Sequence, residues 1–350
     1  KPPAAFLDRV QQVFGFDPPR HEGYDTVAAI EAMIDGRAKV FFGMGGNFAI
    51  ATPDSEATAR GLRRCALTVN VTTKLNRSHL VHGTDALILP CLGRTEIDMQ
   101  AAGPQGVTVE DSMSMVHISV GINPPASEHL LSEPAIVARL AAATLEGRSQ
   151  VPWLWLIEDY ARIRDEIEKV FPDFRGFNER VAVPGGFRLR NTASERVWNT
   201  ASGKASFYPA PIPLDTPTHR ARERIKDRIV FTLFTTRSHD QYNTTIYGMD
   251  DRYRGVYGQR RVLFIHAEDI RALGLKDGDW VDLHTVWSDG QERRADRFKL
   301  VAYDIPRGNV GAYYPEPNPL VPLSAVAETA GTPTSKSIPV LVLPHEPAGT

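Results

Sequence analysis

Cysteine is nearly absent from this chain: Cys65 and Cys91 are the two thiols in 350 residues. Two are too few for a disulfide scaffold or a four-thiolate cluster. Cys65 falls in a helical pattern and Cys91 follows an apolar run, so both read as small core residues. A surplus of either charge is also lacking. The formal net charge of −2 argues against a general nucleic-acid binder, because a stripe of phosphate contacts needs a basic excess. No apolar run approaches the roughly 18 residues of a membrane-spanning helix, so no membrane segment is expected. The chain opens at Lys1 with no Met and no charged-then-apolar leader pattern. Either a signal has been removed or the chain is a piece of a longer polypeptide. The expected location is the cytoplasm.

What remains is ordinary globular composition, 42% hydrophobic and 23% charged, on a length that suits about two domains. The first part alternates helix and strand. Residues 27–34 form a helical face closed by Gly36, and 39–42 (KVFF) is a short strand running into Gly43-Met44-Gly45-Gly46-Asn47. A helix opens at Thr52-Pro53-Asp54, with Thr52 as N-cap and Pro53 at its first position, and runs to about Cys65. Residues 66–71 and 85–89 read as buried strands, and this spacing predicts a parallel sheet wrapped by helices. Further helices are expected over 132–145 and 157–170. Pro209, Pro211, Pro213 and Pro217, followed by an alternately charged cluster from Arg220 to Lys226, mark the best domain boundary. Beyond it, strands over 229–234, 261–265, 280–286, 296–303 and 309–314 with one short helix from Ala267 predict a small β-barrel.

Five groups carry chemistry. Gly43, Gly45 and Gly46, in the segment 43–47 after a strand, permit close backbone approach to a phosphate or a flat base. Their spacing is not that of a dinucleotide fingerprint, and a plain strand-to-loop glycine cluster competes. Thr72 to His79 follows the next strand, so a parallel sheet delivers both loops to one edge. His79 and His82 lack a third metal ligand and read as loop histidines. Glu110 and Asp111 are adjacent carboxylates that face opposite ways on a strand, which disfavours acid–base chemistry, while Met113 and Met115 suit a strand with one buried face. The run 235–245 (TTRSHDQYNTT) gathers the Arg237 fork, the amides of Gln241 and Asn243, and the Tyr242 ring. A structural network at a barrel rim is the alternative there. Near the end, Asn318 and then Gly331-Thr332-Pro333-Thr334-Ser335-Lys336 form a weak anion-clasp pattern.

In this order the five groups resemble the second half of a molybdopterin oxidoreductase of the dimethyl-sulfoxide-reductase superfamily, on its formate-dehydrogenase-like branch (the oxidoreductase alpha, molybdopterin, subunit). The likeness spans the whole chain and is strongest at 39–54, 70–90, 107–117, 235–245 and 331–340. It implies an incomplete α/β Rossmann-like parallel-sheet domain over 1–213 and a molybdopterin dinucleotide-binding double-psi β-barrel over 214–350. It also implies a bis-molybdopterin guanine dinucleotide carrying molybdenum. Carried over by position, the cofactor-binding residues are Gly45, Gly46, Asn47, Lys74, Ser78, Asp111, Arg237, His239, Gln241, Tyr242, Asn318 and Lys336. Asp111 departs from the family's Asn-Thr-Glu-Arg pattern, and many relatives carry Asp where Lys74 falls.

The family's metal-ligating Cys or selenocysteine and its neighbouring His and Arg precede the matching segment. Neither Cys65 nor Cys91 sits in such a context, so no catalytic residue or metal ligand is assigned. An iron–sulfur cluster belongs, where relatives have one, to the upstream part. The resemblance implies two-electron chemistry on a small-molecule substrate, formate among them, with an electron-transfer partner. It further implies a segment inactive by itself. The rival readings are a stand-alone nucleotide- or cofactor-binding module and an adaptor barrel, neither with redox activity.

Overall fold

The computed structural model describes residues 2–244 and 246–346. In chain order its first elements are α1 (Ala4–Phe14), α2 (Thr26–Ile34), β1 (Val40–Met44), α3 (Phe48–Ala51), α4 (Ser55–Arg64), β2 (Leu67–Thr72) and β3 (Asp85–Pro90). There follow β4 (Asp98–Gln100), β5 (Gly103–Glu110), β6 (Met115–Val120), α5 (Glu133–Thr144), α6 (Trp153–Glu158), α7 (Tyr160–Val170), α8 (Phe177–Val181) and β7 (Phe187–Arg188). The last stretch holds α9 (Pro217–Arg224), β8 (Phe231–Thr236), β9 (Val262–Ile265), α10 (Ala267–Ala272), β10 (Trp280–Thr285), β11 (Arg294–Ala302), β12 (Asn309–Tyr313) and β13 (Ile338–Pro344). Among the described residues no helix is long and apolar enough to cross a membrane.

Two compact units form. The first comprises 1–23, 71–74 and 89–210; the second comprises 24–70, 75–88 and 211–350. In the first, an antiparallel sheet in the order β4-β5-β6-β7 is covered by helices. Ala135 and Ala138 of α5, Ile157 of α6 and Tyr160 of α7 make one core, and Val116 of β6 with Phe177 and Val181 of α8 makes another.

The second unit carries the three-stranded sheet β1-β2-β3 and a closed barrel in the order β10-β11-β9-β12-β8-β13. The barrel mixes directions: β12 pairs parallel to β8 and β11 parallel to β9, while the remaining pairs are antiparallel. Alternation explains its core. Along β8 the residues Phe231, Leu233 and Thr235 are buried and their neighbours half-buried, the period of a strand with one face inward. Phe231 and Leu233 join Leu263, Ile265, Val281, Leu283, Phe298, Leu300, Val310, Ile338 and Val340 inside. Each such side chain contributes about 1.5–3 kcal/mol by leaving water. Thr235 continues the same row as a polar rung at the barrel mouth.

The three-stranded sheet runs parallel. The Lys39 carbonyl accepts from Ala66 N–H, and the Ala66 carbonyl from Asp85 N–H, all at strand starts; the Thr72 carbonyl accepts from Cys91 N–H at strand ends. Helices α2 and α4 cover one face with Ile30, Met33 and Leu62, against which Phe41 packs.

Several expectations need correction. Asp54, not Thr52, caps α4: its carboxylate accepts from Ala57 N–H at 3.1 Å. Thr52 turns inward instead, bonding Thr58 Oγ1 at 2.9 Å and the Phe48 carbonyl. Asp54 is drawn to the cap position by Arg293, whose Nε lies 3.0 Å from its other oxygen. The helix expected over 157–170 breaks at Asp159, which caps α7 through Ala161 N–H at 2.9 Å. β3 is not buried: Leu87 and Ile88 are 50% and 44% exposed. Residues 111–114 form a hairpin turn between β5 and β6, with Ser114 at φ 62° and Met113 exposed. Asp111 drives that turn by accepting from the N–H groups of Met113 and Met115. The strands β4, β7 and β13 were not anticipated.

Candidate functional site

Two of the sequence-predicted loops meet at the C-terminal edge of the parallel sheet. Ser78 Oγ donates to Asn47 Oδ1 at 3.0 Å and accepts from Ala49 N–H, starting α3. Asn76 Nδ2 donates to the Gly46 carbonyl at 2.8 Å. Asn47 and Ser78 are buried, whereas Gly45 and Gly46 are exposed. Both glycines sit at positive φ, 65° and 74°, a region costly for other residues. A side chain added at Gly46 would meet open space. The glycine there serves backbone shape and leaves the space beside its peptide groups open. His79 is spent on the same turn, its Nδ1 accepting from Asn76 N–H at 2.7 Å.

The barrel loop after β8 is held by a residue that sequence reading missed. Arg260 is 5% exposed. Its guanidinium pairs with Glu316 at 2.7 Å and donates to Ser238 Oγ at 2.7 Å, Gln241 Oε1 at 2.9 Å and the Tyr314 carbonyl at 3.0 Å. It also faces the Tyr247 ring at 4.0 Å. Gln241 is therefore saturated: its oxygen accepts from Arg260 and Ser238 N–H, while its nitrogen donates to the Asn243 and Tyr314 carbonyls. The rim-network alternative describes Gln241 well.

Tyr314 ties this loop to the glycine loop. Its hydroxyl donates to the Ala51 carbonyl at 2.6 Å. Four residues on, buried Asn318 donates to the Ile50 carbonyl at 2.8 Å, and its own carbonyl accepts from Asp54 N–H. Asn318 works in the frame, anchoring α3 to the barrel.

Arg237, His239 and Tyr242 remain outward. Arg237 is exposed and its carbonyl accepts from Arg254 at 3.1 Å. Arg254 also pairs at 2.6 Å with Asp251, which is 1% exposed and accepts from the Tyr313 hydroxyl at 2.9 Å. Burial pushes the Asp251 carboxyl up, but the Arg254 and Tyr313 hydrogen bonds outweigh it and hold it below the usual carboxylate range. The His239 ring stacks on Tyr253 at 3.8 Å, and the Tyr242 ring is 66% exposed.

Lys336 docks its ammonium on Thr235, donating to the carbonyl and, at 3.2 Å, to Oγ1. Partial burial, and then the charge of Arg237, push it below the ordinary lysine value. Among the described residues no carboxylate pairs with Arg237 or Lys336. Both side chains are cations of the loop region at the end of β8, and neither has an ion-pair partner among the described residues. A second crowding occurs at Arg261, which burial and then Arg77 push below the usual guanidinium value.

Two sequence-predicted residues lie in the first unit. Lys74 is exposed there, its carbonyl accepting from Thr72 Oγ1 at 2.7 Å. Asp111 spends one carboxylate oxygen on its turn, and those backbone hydrogen bonds hold it below the usual range. Thr245 lies outside the described residues.

The donor set fits a dinucleotide-type cofactor: uncompensated cations for phosphates, exposed glycine peptides, and an exposed aromatic face. Arg260, Glu316 and Tyr314 had no legible signal, because a buried arginine and a solvated one look alike in sequence.

Residues 231–339 match the family described as Molydopterin dinucleotide binding domain. Over 350 residues the chain is 52% identical to a Mycobacterium tuberculosis protein named as an uncharacterized oxidoreductase, covering 98% of this chain and 44% of that one. It is 47% identical over 346 residues to protein YdeP of Escherichia coli, covering 98% and 45%. The chain thus spans less than half the length of the curated relatives it matches. Acetylene hydratase from Pelobacter acetylenicus superposes with a TM-score of 0.65 at 16% identity, over 98% of this chain and 50% of that one. That likeness is one of fold.

Proposed function

We propose, from the premise that this chain belongs to the molybdopterin oxidoreductase family, that it holds and orients a molybdopterin guanine dinucleotide cofactor within a longer redox enzyme. The barrel, over 214–350, is read as the double-psi type and the β1-β2-β3 layer as half of a Rossmann-like domain. The parallel pairs inside the closed barrel support the first reading, and the glycine loop at the parallel sheet's C-terminal edge supports the second.

The observation that carries the proposal is the docking of Lys336 on Thr235 at the end of β8, two residues before the exposed Arg237, with no carboxylate pairing either cation among the described residues. Arg237 would take phosphate oxygens with its planar fork, and Lys336 would add a point charge beside it. Tyr242 offers a ring to a flat heterocycle. The Gly45–Gly46 backbone would approach a second nucleotide closely, with Asn47 and Ser78 fixing its path. We extend the same reading to His239 as a peripheral contact and to Gln241 and Asn318 as supports behind the ligand; Lys74 and Asp111, in the first unit, are proposed as cofactor contacts by the resemblance alone. When bound, the cofactor supplies a metal centre for two-electron oxidoreduction. The residues of this chain bind it, orient it and leave the proton and electron chemistry to that centre.

The finer reading is a bis-molybdopterin cofactor and a formate-type substrate, with electrons passing to a partner. The test is metal and nucleotide analysis of the full-length protein, with formate-dependent dye reduction as a second arm. Molybdenum with about two guanine nucleotides per metal supports the bis form. Nucleotide without molybdenum supports the non-redox binding module instead.

A further inference from the structure

The first unit carries a cleft of about 340 Å³ lined by Gln100, Ala101, Arg139, Leu154, Ile157 and Glu158. Its walls follow from local structure. Leu154, Ile157 and Glu158 stand at i, i+3 and i+4 of α6 and so share one face. Ile157 is 6% exposed and shares a core with Ala135 and Ala138 of α5, whose short side chains leave room beside the helix. The turn between β4 and β5 closes the third side, because Ala102 N–H donates to the Glu158 carbonyl at 3.0 Å. The volume lies at the low end of the range for small-molecule sites, about 300–1,000 Å³.

Most polar groups behind the cleft are spent on one another. The Gln100 amide nitrogen donates to Asp98 Oδ1 at 2.6 Å. The Tyr160 hydroxyl donates to the other Asp98 oxygen and bonds Ser132 Oγ at 2.7 Å. Burial, and then the Asp98 hydrogen bond, push Tyr160 above its usual value, so it keeps its proton. A carboxylate takes only donors, which fixes the Gln100 nitrogen toward Asp98. The Gln100 oxygen is then left without a donor among the described residues. Glu158 gives Oε2 to Arg162 at 2.7 Å and keeps Oε1 unbonded among the described residues. Arg139 is exposed, and no carboxylate among the described residues pairs with it. The unspent chemistry is one planar cation, two acceptors and an apolar floor of Leu154 and Ile157.

We propose that this cleft binds a free α-amino acid with an aliphatic side chain. Arg139 takes the carboxylate on its fork. The ammonium donates to Glu158 Oε1 and Gln100 Oε1, and the side chain lies on Leu154 and Ile157. A carboxylate without the amine leaves both acceptors unused, and an amine without the carboxylate leaves Arg139 unpaired. The inference is independent of the cofactor reading, since no residue assigned to that site lines the cleft.

The test is isothermal titration calorimetry on the full-length protein with L-leucine and two analogues that each lack one charge, isocaproate and isoamylamine. Leucine is expected to bind saturably and each analogue at least about 10-fold more weakly, the share of one charge-assisted hydrogen bond. Arg139→Met keeps the alkyl stem and should bring leucine down to the affinity of isoamylamine. Glu158→Gln should bring it toward that of isocaproate. Both positions are exposed, so the fold should survive either change. Absence of saturable heat with leucine overturns the proposal. An analogue that binds as tightly as leucine does so too, as does unchanged leucine affinity in both variants.

Discussion

The Gln241 amide nitrogen donates to the Tyr314 carbonyl at 2.8 Å, and through it the barrel loop after β8 is tied to α3, the helix that follows the glycine loop of the parallel sheet. The Tyr314 hydroxyl completes the tie at the Ala51 carbonyl. Gln241 should therefore act through position. Gln241→Glu sets a carboxylate against two carbonyls it now serves as donor, at about 1–3 kcal/mol for each group left unmatched. The expected result is a lower thermal midpoint and a parallel loss of bound cofactor, measured together by calorimetry and metal analysis.

Arg260 and Glu316 form the buried pair behind that loop, with side chains 5% and 13% exposed. Removing one partner strands the other charge away from water, at about 3–5 kcal/mol. Glu316→Ala should shift the denaturant midpoint strongly. An exposed pair such as Arg190–Glu195 should shift it by about 1 kcal/mol or less when broken.

Asp251 gives a pH dependence with a definite sign. Its folded carboxyl lies below the ordinary value, so its stabilisation is present above the unfolded carboxylate pKa of about 3.9 and is lost as pH falls through the lower folded value. Asp251→Asn should be less stable than wild type at pH 7. The gap should narrow as pH is taken below about 4. A gap that is constant across the acid range would mean the carboxylate is not the source.

Both thiols should be inert in the native state. Burial pushes Cys65 and Cys91 up, the latter to about 11 with help from Glu133 and Glu96, so little thiolate exists at pH 8. Iodoacetamide labelling read by peptide mapping should miss both residues natively and modify both after denaturation.

Much of this architecture was legible where local chemistry and tertiary use agree. The apolar run 229–234 marked β8, Ser132 marked the start of α5, and Gly36 marked the end of α2. Reading failed where the partner is distant. Asp54 became a cap because Arg293, 239 residues away, holds it. β3 read as buried because apolar runs belong in parallel sheets, yet its Leu87 and Ile88 are exposed. In the site, Arg237 and Lys336 carried their own signal as donors after a strand and a glycine. Arg260 carried none, since its meaning lies in four partners that only the fold assembles.

The central claim is that the Arg237–Lys336 pair binds an anionic cofactor and does not stabilise the barrel. The most direct measurement is molybdenum and guanine-nucleotide content of full-length Arg237→Ala, Lys336→Ala and the double variant, beside wild type, with Tm recorded on each. Content should fall at least several-fold while the Tm of the cofactor-free protein stays within a few degrees, because neither cation has an ion-pair partner among the described residues to lose. Full cofactor content in the double variant would contradict the account.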